Sequence, residues 1–450
     1  MARYALAVLL LAITLAIIVP SVPSAEIADG KEARLKYVTM NDIAKIFTPG
    51  REKKRLTSSI DLPNGEGRGI ACSITSSKVE IDTDLDGKPD TSVAVNGKVI
   101  ELTIKKGEKP KMKYAIYITS DDRFQEKQWL YESAAAVTGT VAGTKVTILD
   151  DNCNGSFADY GKDGLLVGNS KAGWFLSSSI ALGKNLATVD VDPDGESLTY
   201  SEFTGDTGSV DPFKKLNKAD FTPEVFVVRQ EDYSFSVISE GKKLMQIPTG
   251  RYTIERGVID DKTEFVGGLY PPFDVLKGNT TVIEWGGPFT MSFFEKPSAE
   301  YEAVVYGTSG EGSFKGRFKH EHMFYMEPPY IRGEKGEIYV GSAKWCTPEQ
   351  PIRRPTNQNE QGVVQFFPFP PSRISYQVEI LDVKTRKSIN HEKFYTGNQP
   401  APNEQTAAPY YWNPFIFDYG DHRGKYILRI TTMATKIFKD AVYEKAIELK

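Results

Sequence analysis

Three stretches of this 450-residue chain set oxygen-bearing side chains at every second position and then turn at a glycine. They are Asp82, Asp84 and Asp86 before Gly87; Asp150, Asn152 and Asn154 before Gly155; and Asp190, Asp192 and Asp194 before Gly195. Alternate side chains in such a turn point at one centre, and glycine permits the bend that brings the later oxygens round. The chemistry this suits is coordination of a hard cation, Ca²⁺ above all, which takes about six to eight oxygen ligands.

The first stretch carries the fullest set. With Asp90 it offers carboxylates at the first, third, fifth and ninth places of a loop whose sixth place is Gly87. Here the chain resembles, in the loop alone, the DxDxDGxxD calcium turns of dockerins, thrombospondin-type repeats and FG-GAP-like modules. The resemblance implies Ca²⁺ as ligand and Asp82, Asp84, Asp86 and Asp90 as its holders. The chain departs from an EF-hand at the twelfth place, where Val93 stands instead of a bidentate glutamate, and its flanks alternate like strands. Backbone carbonyls, water or a residue from elsewhere would have to complete the shell.

In the second stretch amides replace two carboxylates. The expected ligands there are Asp150, Asn152, Asn154 and Asp159, with lower affinity unless Asp159 or Asp163 reaches in to add charge. In the third, Pro193-Asp194-Gly195 is a common turn sequence whose aspartate bonds its own backbone, and a plain hairpin is favoured.

Other residues offer less. His320 and His322 share one face if their segment is a strand, the geometry for two zinc or copper ligands. A third would have to be His391, His422 or a carboxylate, and no HExxH spacing occurs, so an exposed or core-edge pair is favoured. Aromatic residues at Phe366, Phe367 and Phe369, and at Tyr410, Tyr411 and Trp412, could stack on sugar rings, although core packing accounts for them as well. There is no nucleophile elbow, phosphate loop or dinucleotide fingerprint. An enzyme is therefore the less favoured class, though dispersed triads leave no local motif.

The elements that must position these residues read as strands. Hydrophobic content is 40% and charged content 25%, a globular composition rich in tyrosine and phenylalanine, with little long amphipathic periodicity. A net charge of −4, with no basic stripe or finger motif, speaks against nucleic acid. Residues 5–19 are apolar, follow Arg3 and precede small residues at 22 and 24, the layout of a cleavable signal peptide and shorter than the roughly 20 residues of a spanning helix. Export to the periplasm or exterior is expected, with membrane attachment only if the signal stays uncleaved. Cysteines 72, 153 and 346 allow one internal disulfide. A slight preference for Cys72 with Cys153 stands beside the alternative of three unpaired thiols.

The expected fold is mainly β: a signal peptide at 1–24, a lead-in at 25–60 with one short helix over Thr39–Phe47, then two to three sandwich-like domains. A calcium-loop domain at 61–202 contains an expected hairpin at Asn96-Gly97. A turn-rich linker at 203–220 leads to a sandwich at 221–300 and a last β domain at 301–450. Within 221–300, IPTGRYTI and FDVLKGNTTVIEW resemble the transthyretin-like or carboxypeptidase-regulatory-like sandwich. The late run GKYILRI resembles the closing strand of immunoglobulin-like domains. These readings converge on a secreted or periplasmic calcium-binding protein with a structural or interaction role, its partners envelope proteins or polysaccharide. The alternatives are a carbohydrate-binding surface protein and, less favoured, a metal-dependent hydrolase.

Overall fold

The computed structural model describes residues 30–64, 69–75, 77–94, 97–105, 111–121, 128–183, 185–217, 221–231, 233–238, 244–259, 263–292, 295–296, 323–326, 330–341, 376–389, 415–432, 437–438 and 442–449. Nearly all of the regular structure is strand, in several antiparallel sheets, so the protein is mainly β. Among the described residues no helix is long and apolar enough to cross a membrane.

Alternation builds the first half. In the strand Lys98–Ile104 the residues Ile100, Leu102 and Ile104 turn inward, and the strand pairs with Met112–Asp121, which pairs in turn with Gln128–Ser133. A second sheet runs from Trp174–Phe175 through Gly164–Val167, Thr144–Leu149 and Ala135–Val141 to Lys36–Thr39. Two more sheets, one from Lys31–Arg34 to Ser179–Leu182 and one from Ser59–Ile60 to Thr91–Val93, join the same core, where Tyr114, Trp129, Ile148 and Val189 meet.

A second core gathers the later strands. Val225–Arg229, Gly250–Val258, Thr263–Val266 and Ile338–Gly341 lie side by side, and Tyr376–Asp382, Gly424–Thr432 and Val442–Leu449 form a further sheet against them. Its centre is aromatic: Trp285, Phe226, Phe265 and Tyr339 are all fully buried.

Several sequence expectations change. The helix over 39–47 is a single 3-10 turn, Ile43–Lys45, because Thr39 belongs to a strand and the rest is too short to sustain a helix alone. The lead-in is tied down, since Lys31–Arg34 pairs with Ser197–Tyr200 and Lys36–Thr39 with Ala135–Thr138. Asn96 lies outside the described residues, but the strands flanking it do not pair with each other. Thr91–Val93 pairs with Val79–Ile81, while Lys98–Ile104 pairs with Met112–Asp121 in another sheet. The stretch 203–220 contains an eleven-residue strand, Thr207–Asn217, which runs parallel to Thr280–Gly286. Turn formers fall at an irregularity there: Pro212 has no N–H to offer, and the register shifts between Asp211 and Lys215. Cys72 and Cys153 are separate buried thiols. The Cys72 Sγ donates to the Thr57 carbonyl at 3.0 Å, and burial pushes this thiol up to about 11. Cys346 lies outside the described residues.

Glu337 is an unusual member of the second core, with no exposed surface. Its Oε1 accepts from the Gly286 N–H at 2.7 Å and the Tyr339 hydroxyl at 3.1 Å, while Oε2 has no partner. Burial pushes its pKa above the ordinary 4.5. The folded state therefore holds a proton that the unfolded chain releases, so this contribution to stability is full below about 4.5 and declines as pH rises through the folded-state value. Glu337→Gln should flatten that decline; urea unfolding at pH 4, 6 and 8 measures it, and an unchanged slope would exclude Glu337 as its source.

Candidate metal loops

Each of the three oxygen-rich stretches connects neighbouring strands of an antiparallel pair. The first joins Val79–Ile81 to Thr91–Val93, with Ile81 opposite Thr91. The second joins Thr144–Leu149 to Gly164–Val167, with Leu149 opposite Gly164. The third joins Asn185–Val191 to Ser197–Glu202, with Val191 opposite Leu198. A hairpin holds both ends of a loop together, so side chains far apart along it can converge.

In the first loop Asp82, Asp84 and Asp86 each place one carboxylate oxygen within 4.8 Å of the others, Asp82 buried and the other two exposed. Asp82 accepts from the backbone N–H groups of Asp86 at 3.1 Å and Gly87 at 2.9 Å, and Asp86 accepts from that of Lys88 at 2.8 Å. Gly87 has φ 89° and Leu85 φ 65°, both left-handed. Such a trio of carboxylates could hold a metal ion. Asp90 is not part of it: its oxygens accept from the Thr83 hydroxyl at 2.7 Å and the Thr83 N–H.

The second loop repeats these three backbone bonds at the matching places. Asp150 accepts from the N–H groups of Asn154 at 3.1 Å and Gly155 at 2.6 Å, and Asn154 accepts from that of Ser156 at 2.8 Å. Gly155 has φ 81° and Cys153 φ 56°. What differs is depth. Asp150 and Asp163 are fully buried, Asp151 and Asn152 nearly so. Asp159 joins the cluster, its Oδ2 lying 2.7 Å from the Asn152 amide nitrogen and 2.5 Å from that of Asn154. Burial pushes Asp163 up to about 9, helped by the charge of Asp150. Burial also pushes Asp151 up to about 7, although Arg51 and the Thr48 hydroxyl pull against it.

The third loop lacks the pattern. Its Gly195 N–H goes to the Asp192 carbonyl and its Asp194 N–H to Asp192 Oδ1, so Asp192 closes an ordinary turn. The physical reason is Pro193. It occupies the fourth place, where Leu85 and Cys153 take positive φ, and the proline ring fixes φ near −65°.

Sequence reasoning named Asp163 only as an acid that could add charge to the second loop, and it missed Tyr114, whose buried hydroxyl donates to Asp150 Oδ2 at 2.5 Å. The signal for Asp163 was an acid set against the apolar run Leu165–Val167. Tyr114 gave none, because it comes from a strand of another sheet. His320, His322, His391 and both aromatic clusters lie outside the described residues, and the ring of His422 packs edge-on against Tyr426. Fold and site together define a β-rich protein with a carboxylate cluster suited to a metal ion. No protein family, curated protein or solved structure matches the chain.

Proposed function

We propose that this is a calcium-binding, β-rich structural or interaction protein of the cell envelope, secreted or periplasmic, with Asp82, Asp84 and Asp86 holding the cation. The observation that carries the reading is the convergence of these three carboxylates on one hairpin loop, Asp82 buried and Asp84 and Asp86 exposed. Oxygen-only donors favour Ca²⁺ over the softer transition metals, which select nitrogen or sulfur. The resemblance of the loop to DxDxDG calcium turns, an apolar leader at 5–19 and a chain built of strands support the same reading. Envelope proteins or polysaccharide are the partners it suggests.

Calorimetric titration of the full chain with CaCl₂ tests it. Asp84→Ala removes an exposed ligand that caps no buried element, so the variant should fold as the parent does and lose this binding event. Retention of the parent's full calcium stoichiometry in Asp84→Ala would overturn the assignment.

A further inference from the structure

The second loop contains buried oxygen atoms that its own hydrogen bonds leave without partners. Asp163 has no exposed surface, and its Oδ2 accepts from the Asp159 N–H at 2.8 Å, but its Oδ1 has no partner. Asn152 is 9% exposed, and its Oδ1 likewise has none. A buried polar atom left unpaired costs about 1–3 kcal/mol, so two of them in one loop point to something that binds there.

Both orphaned atoms belong to side chains bonded to Asp159. Asp163 accepts from the Asp159 N–H through its other oxygen. The Asn152 side-chain amide already touches Asp159 Oδ2, at 2.7 Å. Turning that amide about its last bond gives up this hydrogen bond and sets the orphaned oxygen where the nitrogen now stands. Amide nitrogen and oxygen fill the same space, so the turn needs no room, but it exchanges the hydrogen bond to Asp159 for two facing oxygens. Two oxygens at that separation repel each other unless a cation lies between them.

We propose that residues 150–163 form a buried structural calcium site, with Asp150, Asn152, Asn154, Asp159 and Asp163 as its side-chain ligands. The site is independent of the exposed loop at Asp82 and does not rest on that assignment. Three carboxylates and two amides supply oxygen alone, and the backbone bonding matches the exposed loop at the first, fifth, sixth and seventh places.

The position of the loop gives the cation its task. The backbone of residue 151 accepts from the Glu52 N–H at 2.9 Å, and that of residue 153 from Lys54 Nζ at 3.2 Å. The Phe157 N–H reaches the Pro193 carbonyl of the third hairpin at 3.0 Å, and the Asp163 carbonyl accepts from Leu176 at 2.7 Å. Tyr114 arrives from a separate sheet. A cation drawing the five side chains together therefore fastens segments from several sheets at one point, and its removal loosens all of them.

The test uses the full chain, Ca²⁺ as probe and two substitutions of opposite sign. Asp163→Asn removes a ligand charge from the interior and should weaken the tighter calcium event by about tenfold or more. Asn154→Asp alters an exposed side chain, so folding is not at risk. It adds a ligand charge and should strengthen the same event, raising the melting temperature with calcium and lowering it in chelator, where the new carboxylate faces Asp159 unscreened. Unchanged calcium affinity in Asn154→Asp, with melting lowered equally in calcium and in chelator, would overturn the proposal and leave a hydrogen-bonded acid cluster. Asp84→Ala separates the two sites: it should spare the event that Asp163→Asn weakens, and loss of that event in Asp84→Ala alone would also overturn the assignment.

Discussion

Trp285→Ala should destabilise the later half of the protein by about 3–5 kcal/mol, the range for deleting a buried tryptophan. Trp285 has no exposed surface and stands at the centre of the second core. Its ring centroid lies 4.6 Å from that of Phe265 and 5.0 Å from that of Phe226, so alanine would leave a cavity walled by rigid rings that cannot collapse into it. The indole also donates to the Pro212 carbonyl at 2.7 Å, in the strand parallel to its own. Trp285→Phe keeps much of the volume and loses that bond, so a smaller cost, about 1–3 kcal/mol, is expected. Urea unfolding followed by circular dichroism orders the variants. Equal losses in both would place the energy in the hydrogen bond rather than in packing.

Tyr114→Phe should cost about 1.5–3 kcal/mol in chelator, the range for a hydrogen bond to a charged acceptor. Its hydroxyl is buried against Asp150, and removing it takes a donor from a carboxylate that has left water. The protein contains its own control. Tyr252 is also fully buried, but its hydroxyl donates to a neutral acceptor, the Pro248 carbonyl, at 2.9 Å. Tyr252→Phe should cost about 0.5–1.5 kcal/mol. Thermal or urea unfolding of the two variants compares them directly. Equal costs would mean that Asp150 stands neutral in the absence of a cation.

The fold class is legible in the amino-acid sequence. Runs such as KVIELTI and GKYILRITT alternate with a period of two, which places one face of a strand in the core whatever its neighbours are. Gln128–Ser133 and Ala135–Val141 are strands although alanine favours helix, because Ala134, Ala135 and Ala136 serve close packing and are fully buried. Pairing is less legible. Asn96-Gly97 carries a strong local hairpin signal, yet the short run before it finds a partner across the Asp82 loop instead. A turn signal is local, whereas the choice of sheet is settled by which apolar faces can share a core.

The amino-acid sequence by itself determined the three oxygen-rich turns, because ligand type, alternate spacing and the glycine that bends the chain are all local properties. It also held the reason for the difference at the third: a proline at the fourth place, whose ring forbids the left-handed backbone seen at Leu85 and Cys153. Only the tertiary structure decided that Asp82, Asp84 and Asp86 converge, the first buried and the other two exposed, with Asp90 turned aside, and that Asp150 and Asp163 are sunk out of solvent, with Asp163 bonded to the backbone of Asp159. Depth depends on elements distant in the chain, here Tyr114, Lys54 and Pro193. Depth in turn governs how strongly a set of carboxylates demands a counter-charge, since a charge removed from water keeps little of its solvation.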